Sequence, residues 1–259
     1  MTPFPFAYRS IKAVVILALA ALLCGFTFRN AGPPESHYAD YNNAKPPRGN
    51  TVTVCHAHGC QKQESFTFRN ADIRDLAVLM DYARTSDTPD QERRAIAHAI
   101  GWMERRVGPV TGTANDRASL EFMNASGQLD CVDEATNATS YLLILQRNGL
   151  LRHHSVIRPF SKASLFQWPH MAAMIKTRRS GQVYAVDSGV GPNGTNPSII
   201  LASKWYINDG NAAPARAPVP SRPIASMTNQ PSIRTQRSDN IGMLVEQILR
   251  DGGSPYPIR

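Results

Sequence analysis

Three residues, and the elements that carry them, limit what this chain can fold into. Cys131 opens a helix-forming stretch, His170 lies on a later strand-like run, and Asp187 lies on the next one. Asp130 is a residue type suited to a helix N-cap, which places Cys131 at the first helical position. Asn148-Gly149 stops that helix after about Arg147. Ala135, Ala138, Tyr141, Leu142 and Leu145 recur at helical spacing and give it a face to bury. Further on, the polar stretch Thr177-Arg178-Arg179-Ser180-Gly181 separates two apolar runs, the pattern of a β-hairpin. Folded about the point midway between residues 170 and 187, which falls inside that turn, the hairpin sets His170 directly opposite Asp187, on one face and with Cβ atoms roughly 4.5–5.5 Å apart. The expectation is an α+β fold in which the Cys131 helix packs on an antiparallel sheet.

The order Cys, His, Asp carries a chemistry. A thiol nucleophile needs a base to take its proton, and the base needs a group that fixes its tautomer. A helix N-terminus favours an anion such as a thiolate through its unpaired N–H groups and its positive end. Cys131 is therefore the candidate nucleophile, His170 the base and Asp187 the orienting carboxylate. The backbone N–H of Cys131 is a candidate donor to a developing oxyanion.

At these residues the chain resembles the transglutaminase-like superfamily, and within it the bacterial transglutaminase-like cysteine proteinases. Asp130-Cys131-Val132-Asp133 is similar to that family's Asp-Cys-x-Asp motif. The 39 residues from Cys131 to His170 and the 17 from His170 to Asp187 are similar to its spacings. Leu129 stands where the family has Gly, and Val132 where it has an acidic residue. The likeness covers about residues 70 to 210. It implies a papain-like core and a cysteine peptidase acting on a protein or peptide substrate. Its rivals are an amine-accepting acyltransferase and a binding module that keeps the fold without turnover. On papain-like analogy Gln128 is a side-chain oxyanion donor, or else a solvated loop residue, and Trp168 walls the site or is plain core. No cofactor is required. Some such proteinases bind calcium beside the Cys, and Asp130, Asp133 and Glu134 offer the hard oxygen ligands Ca²⁺ prefers. The alternative reading, which we favour, has Asp130 capping the helix while Asp133 and Glu134 complement its dipole.

Charge and cysteine use place the chain in a compartment. The formal charge is +8, yet residues 51–210 hold seventeen Lys/Arg against fifteen Asp/Glu, so the basic excess lies mostly in the flanks. A nucleic-acid groove is not indicated. Ala13 to Phe28 is uncharged and mostly apolar, preceded by Arg9 and Lys12. As a helix it reaches about 24 Å, the length of a signal-peptide core or a short anchor. Either way residues 1–28 export the rest: anchored in the inner membrane and facing the periplasm with Lys12 cytoplasmic, or periplasmic after cleavage. Cys55 and Cys60 flank His56-Ala57-His58-Gly59 between two strand-like runs, so a hairpin centred there opposes the two cysteines, and export permits a disulfide. A metal site using His56 and His58 is the rival, with ligands closer together than usual zinc spacing.

Residues 29–50, with Gly32-Pro33-Pro34 and Lys45-Pro46-Pro47, read as a linker. Residues 51–210 form the expected domain. Ala71–Arg84 is a first helix, and Thr88-Pro89 opens a second that Gly108-Pro109 should end. Adjacent strand residues face opposite ways, so of His153 and His154 one faces the core and the other water. Residues 211–259 read as a Pro- and Arg-containing flexible tail with a short helix at Ile241–Leu249.

Overall fold

The computed structural model describes residues 32–117, 124–164 and 167–207, apart from the side chains at 163, 164 and 167–169. The apolar segment 13–28, Cys24, the tail 211–259 and the Trp168 side chain lie outside the described residues. The architecture is α+β, with two antiparallel sheets. Strands β1 (Thr51–His56) and β2 (Lys62–Thr67) pair alone. Helices α1 (Asn70–Ala83), α2 (Pro89–Thr111) and α3 (Cys131–Arg147) follow. Strands β3 (His154–Ser164), β4 (Gln167–Thr177), β5 (Val183–Asp187) and β6 (Ser198–Leu201) then form a four-stranded meander in chain order. A short helix, α4 (Ala202–Ile207), ends the described chain. No helix among the described residues is long and apolar enough to cross a membrane.

Helix α3 is the hub. It packs on β3, β4 and β5, and also touches β1 and α2. Leu142, Leu143, Ile144 and Leu145 are all buried, so α3 is apolar around most of its C-terminal half, as a helix covered on several sides must be. Its buried polar residues each have a task. Asn137 accepts the Cys55 N–H at 2.8 Å and donates to the Cys55 carbonyl at 2.9 Å, joining β1 to the helix as a neighbouring strand would. Ser140 and Thr136 meet Tyr38 Oη and His37 Nε2 at 2.8 and 2.9 Å.

Those last two contacts change the reading of the stretch 29–50 over its described part, residues 32–50. Pro34–Asp40 is a 3₁₀ helix whose Tyr38 and His37 are buried against α3. Arg158 adds an ion pair to Asp40, and Arg147 donates to the Pro47 carbonyl. The proline pairs that suggest a linker here serve as rigid corners in a strap around the domain. Helix α2 differs from expectation too: it passes through Pro109 and stops at Gly112, whose φ of +79° suits glycine. Proline removes only one donor so near the helix end. The Gly108 carbonyl collects the N–H groups of Gly112, Thr113 and Ala114 instead.

The two hairpins fold about different centres from those the sequence suggests. In β4–β5, Ala173 faces Val186 and Ile175 faces Tyr184. That register continues to Ala172 beside Asp187, so His170 is the diagonal neighbour of Asp187 and not its direct partner. The slip is of two residues, which preserves the shared face. In β1–β2, Cys55 faces Gln63 and His56 faces Lys62, so Cys60 belongs to the turn and not to the opposing strand.

Candidate active site

Asp130 caps α3 through its side chain. Oδ1 accepts the N–H groups of Val132 and Asp133 at 3.0 and 2.8 Å. Asp133 Oδ2 reciprocates from the Asp130 N–H at 3.2 Å, completing a capping box around Cys131. Cys131, at the first helical position, is partly exposed and is the cysteine outside a disulfide among the described residues.

Diagonal placement brings His170 Nε2 to 2.8 Å from Asp187 Oδ2. His170 also hydrogen-bonds the Cys131 side chain. With Nε2 held by Asp187, Nδ1 is the nitrogen left for the sulfur. Burial disfavours charge on the ring, but the bonds to Asp187 and Cys131 outweigh it, and His170 is pushed up to about 9. The site therefore favours the imidazolium form of His170. Asp187 is nearly buried, its side chain 7% exposed against 30% for His170.

A third contact has no counterpart in the sequence reading. Trp205 Nε1 donates to the same Asp187 Oδ2 at 2.8 Å. Its indole lies tilted by 37° beside the imidazole, with ring centroids 5.6 Å apart. Lys162 Nζ sits 4.7 Å over the indole and donates to the Trp205 carbonyl at 2.9 Å. Trp205 is buried, so it covers the His170–Asp187 pair and fixes the carboxylate. The available signal was a tryptophan just beyond the strand next to Asp187.

Gln128 is turned elsewhere. Its Oε1 accepts the Arg117 N–H at 3.2 Å and its Nε2 donates to the Asn115 carbonyl at 3.0 Å. The acidic residues beside Cys131 do not fit a shared calcium site. Asp133 accepts the N–H groups of His58 and Cys60 at 3.0 and 2.6 Å, and Asp130 Oδ2 accepts that of Gly59 at 3.2 Å. Glu134 points into a different, partly enclosed cavity that it shares with Glu104 and Asp116. Burial, with repulsion from neighbouring carboxylates, pushes Glu134 well up and Glu104 up to about 8, and burial pushes Asp116 up to about 6 against the hydrogen bonds that lower it.

Cys55 and Cys60 form a disulfide. The imidazoles between them have separate partners: His56 Nδ1 accepts the Gly127 N–H at 3.1 Å, and His58 Nδ1 lies 2.7 Å from Asp130. Among the described residues, only Cys55, Cys60 and Asp133 bring three ligand-type atoms together, and neither histidine joins them. His153 and His154 face opposite ways. His154 is buried on Glu92 at 3.0 Å, while His153 meets the exposed Asp87 at 3.0 Å.

Comparison with known proteins gives no matching family model, no matching curated protein and no matching solved structure.

Proposed function

We propose that this chain is an exported thiol hydrolase of papain-like, transglutaminase-like architecture that cleaves an amide bond in a protein or peptide. One observation carries the reading: a single imidazole, raised to about 9, bonds a partly exposed thiol on one side and a nearly buried carboxylate on the other. In this scheme the thiol proton rests on His170, and Cys131 Sγ attacks the substrate carbonyl carbon. In this scheme the Cys131 N–H, at the start of α3, donates to the oxyanion. His170 then delivers its proton to the departing amine nitrogen as the C–N bond breaks, leaving an acyl-Cys131 thioester. Water attacks that ester, gives a proton to His170, and releases the acid and the thiolate. An amine in place of water would make the same intermediate a transferase step.

A small thiol alkylator tests the reading through the Cys131 peptide, identified by mass spectrometry. Labelling of Cys131 near neutral pH should be fast and should fall by about 10²-fold in His170→Ala, the scale of a lost proton-transfer partner. Equal, slow labelling in both proteins would favour a binding module without turnover.

A further inference from the structure

The turn joining β1 to β2 is held in an uncommon conformation. Ala57, His58, Gly59 and Cys60 have φ of +65°, +70°, +60° and +61°, and only one of the four is glycine. L-residues other than glycine resist successive left-handed positions. Two constraints impose them here. The Cys55–Cys60 disulfide closes the turn, and Asn137 grips the Cys55 backbone from α3. In that shape the turn directs four consecutive N–H groups at the start of the Cys131 helix. Ala57 donates to the Gln128 carbonyl at 2.8 Å, His58 and Cys60 to Asp133, and Gly59 to Asp130. Cys131 lies between those two aspartates. Both cysteines are fully buried, so the bond is a wall of the structure against which α3 begins.

We propose that the Cys55–Cys60 disulfide is a redox-controlled positioning element that seats Cys131 against His170. Oxidised, the pair holds the left-handed turn and thereby the capping aspartates. Reduction by a dithiol breaks the S–S bond and yields two thiols, while the reductant closes to its own disulfide. The turn then relaxes toward right-handed backbone, its N–H groups leave Asp130 and Asp133, and the first turn of α3 loosens. The thiol site is thus assembled only where disulfides persist, which suits an exported protein and keeps the chain inactive before export. This rests on the hydrolase reading of Cys131 and His170.

The test uses the full chain in three forms: oxidised, reduced with dithiothreitol and freed of it without air, and the double variant Cys55→Ala/Cys60→Ala. Cys131 labelling should slow by about tenfold or more in the last two, the scale set by releasing strained turn residues. Amide exchange at Val132 and Asp133 should rise, and reoxidation should restore the reduced sample. Adding Ala57→Gly to the double variant should recover part of the rate, because glycine takes φ of +65° freely. A general loss of folding would not be repaired in that way. Unchanged or faster labelling after reduction would overturn the proposal. Oxidised wild type and oxidised His170→Ala labelling alike would instead remove the hydrolase reading. The positioning role would then stand or fall on whether amide exchange at Val132 and Asp133 still rises on reduction.

Discussion

At the scale of single residues, Asp187 Oδ2 is the most constrained atom of the site, because it accepts from both His170 Nε2 and Trp205 Nε1. Two substitutions separate its roles. Asp187→Asn removes the charge that favours the imidazolium. The alkaline limb of kcat/KM, expected near pH 9 in the wild type from the raised His170, should move toward the free imidazole value of about 6.5. A limb that stays near 9 would show that another group sets it. Trp205→Phe keeps an aromatic ring beside His170 but deletes the indole donor. A lost hydrogen bond to a buried carboxylate is worth about 1.5–3 kcal/mol, so kcat should fall by roughly ten- to a hundredfold with KM little changed. Much of this site was legible in the sequence. Cys131 announced itself through Asp130 before it and the helical spacing after it, and strand parity put His170 and Asp187 on one face. Trp205 was not legible, because its contact depends on a helix packing back over β5, which no local pattern specifies.

At the scale of elements, the start of α3 is where local chemistry and tertiary contact coincide. An ordinary N-cap contributes about 1 kcal/mol. Asp130 accepts two helix N–H groups and one from the left-handed turn, and it also meets His58, so its loss should exceed that value. Asp130→Ala should cost about 2 kcal/mol, near the upper end for a cap, read as a lower urea midpoint at unchanged slope. A cost within a few tenths of zero would mean that the turn contributes nothing to holding the helix. Helix boundaries were readable here because capping residues act locally. The hairpin registers were not. Thr177 donates its N–H to Gln182, one residue beyond the Thr177–Gly181 turn read from composition, and the centre of the hairpin moves by one residue and the pairing by two. The 3₁₀ strap was missed for another reason. Its prolines look the same in a linker and in a docked corner, and only Tyr38 and His37 meeting α3 distinguishes them.

For the whole molecule, the pH dependence of stability follows from which buried groups prefer their protonated form. Glu134 and Glu104 are raised by burial and by neighbouring carboxylates, and Asp116 by burial, so the folded protein holds protons that the unfolded chain releases above about pH 4.5. Stability from this cluster is fully present below that pH and declines as pH rises through the folded values, to about 8 for Glu104. His170 acts in the same direction: its contribution is complete below about 6.5 and is lost as pH rises through about 9. His37 acts oppositely. Burial, aided by Arg158, lowers it to about 4, so the unfolded chain binds the proton first and stability falls as pH drops from about 6.5 to 4. Glu92, which His154 and the N–H groups of Arg152 and His153 hold below its usual range despite burial, adds a further loss at lower pH, beginning below its ordinary value of about 4.5. Glu134→Gln isolates the alkaline side, since it removes one ionisable member of the cluster and keeps its shape. The decline in Tm from pH 5 to pH 8 should become shallower in this variant, with the two proteins converging at pH 5. His37→Gln should leave the alkaline limb alone and flatten only the acid one. If Glu134→Gln instead lowered Tm equally at both pH values, the cluster would be acting through its hydrogen bonds and not through its charge.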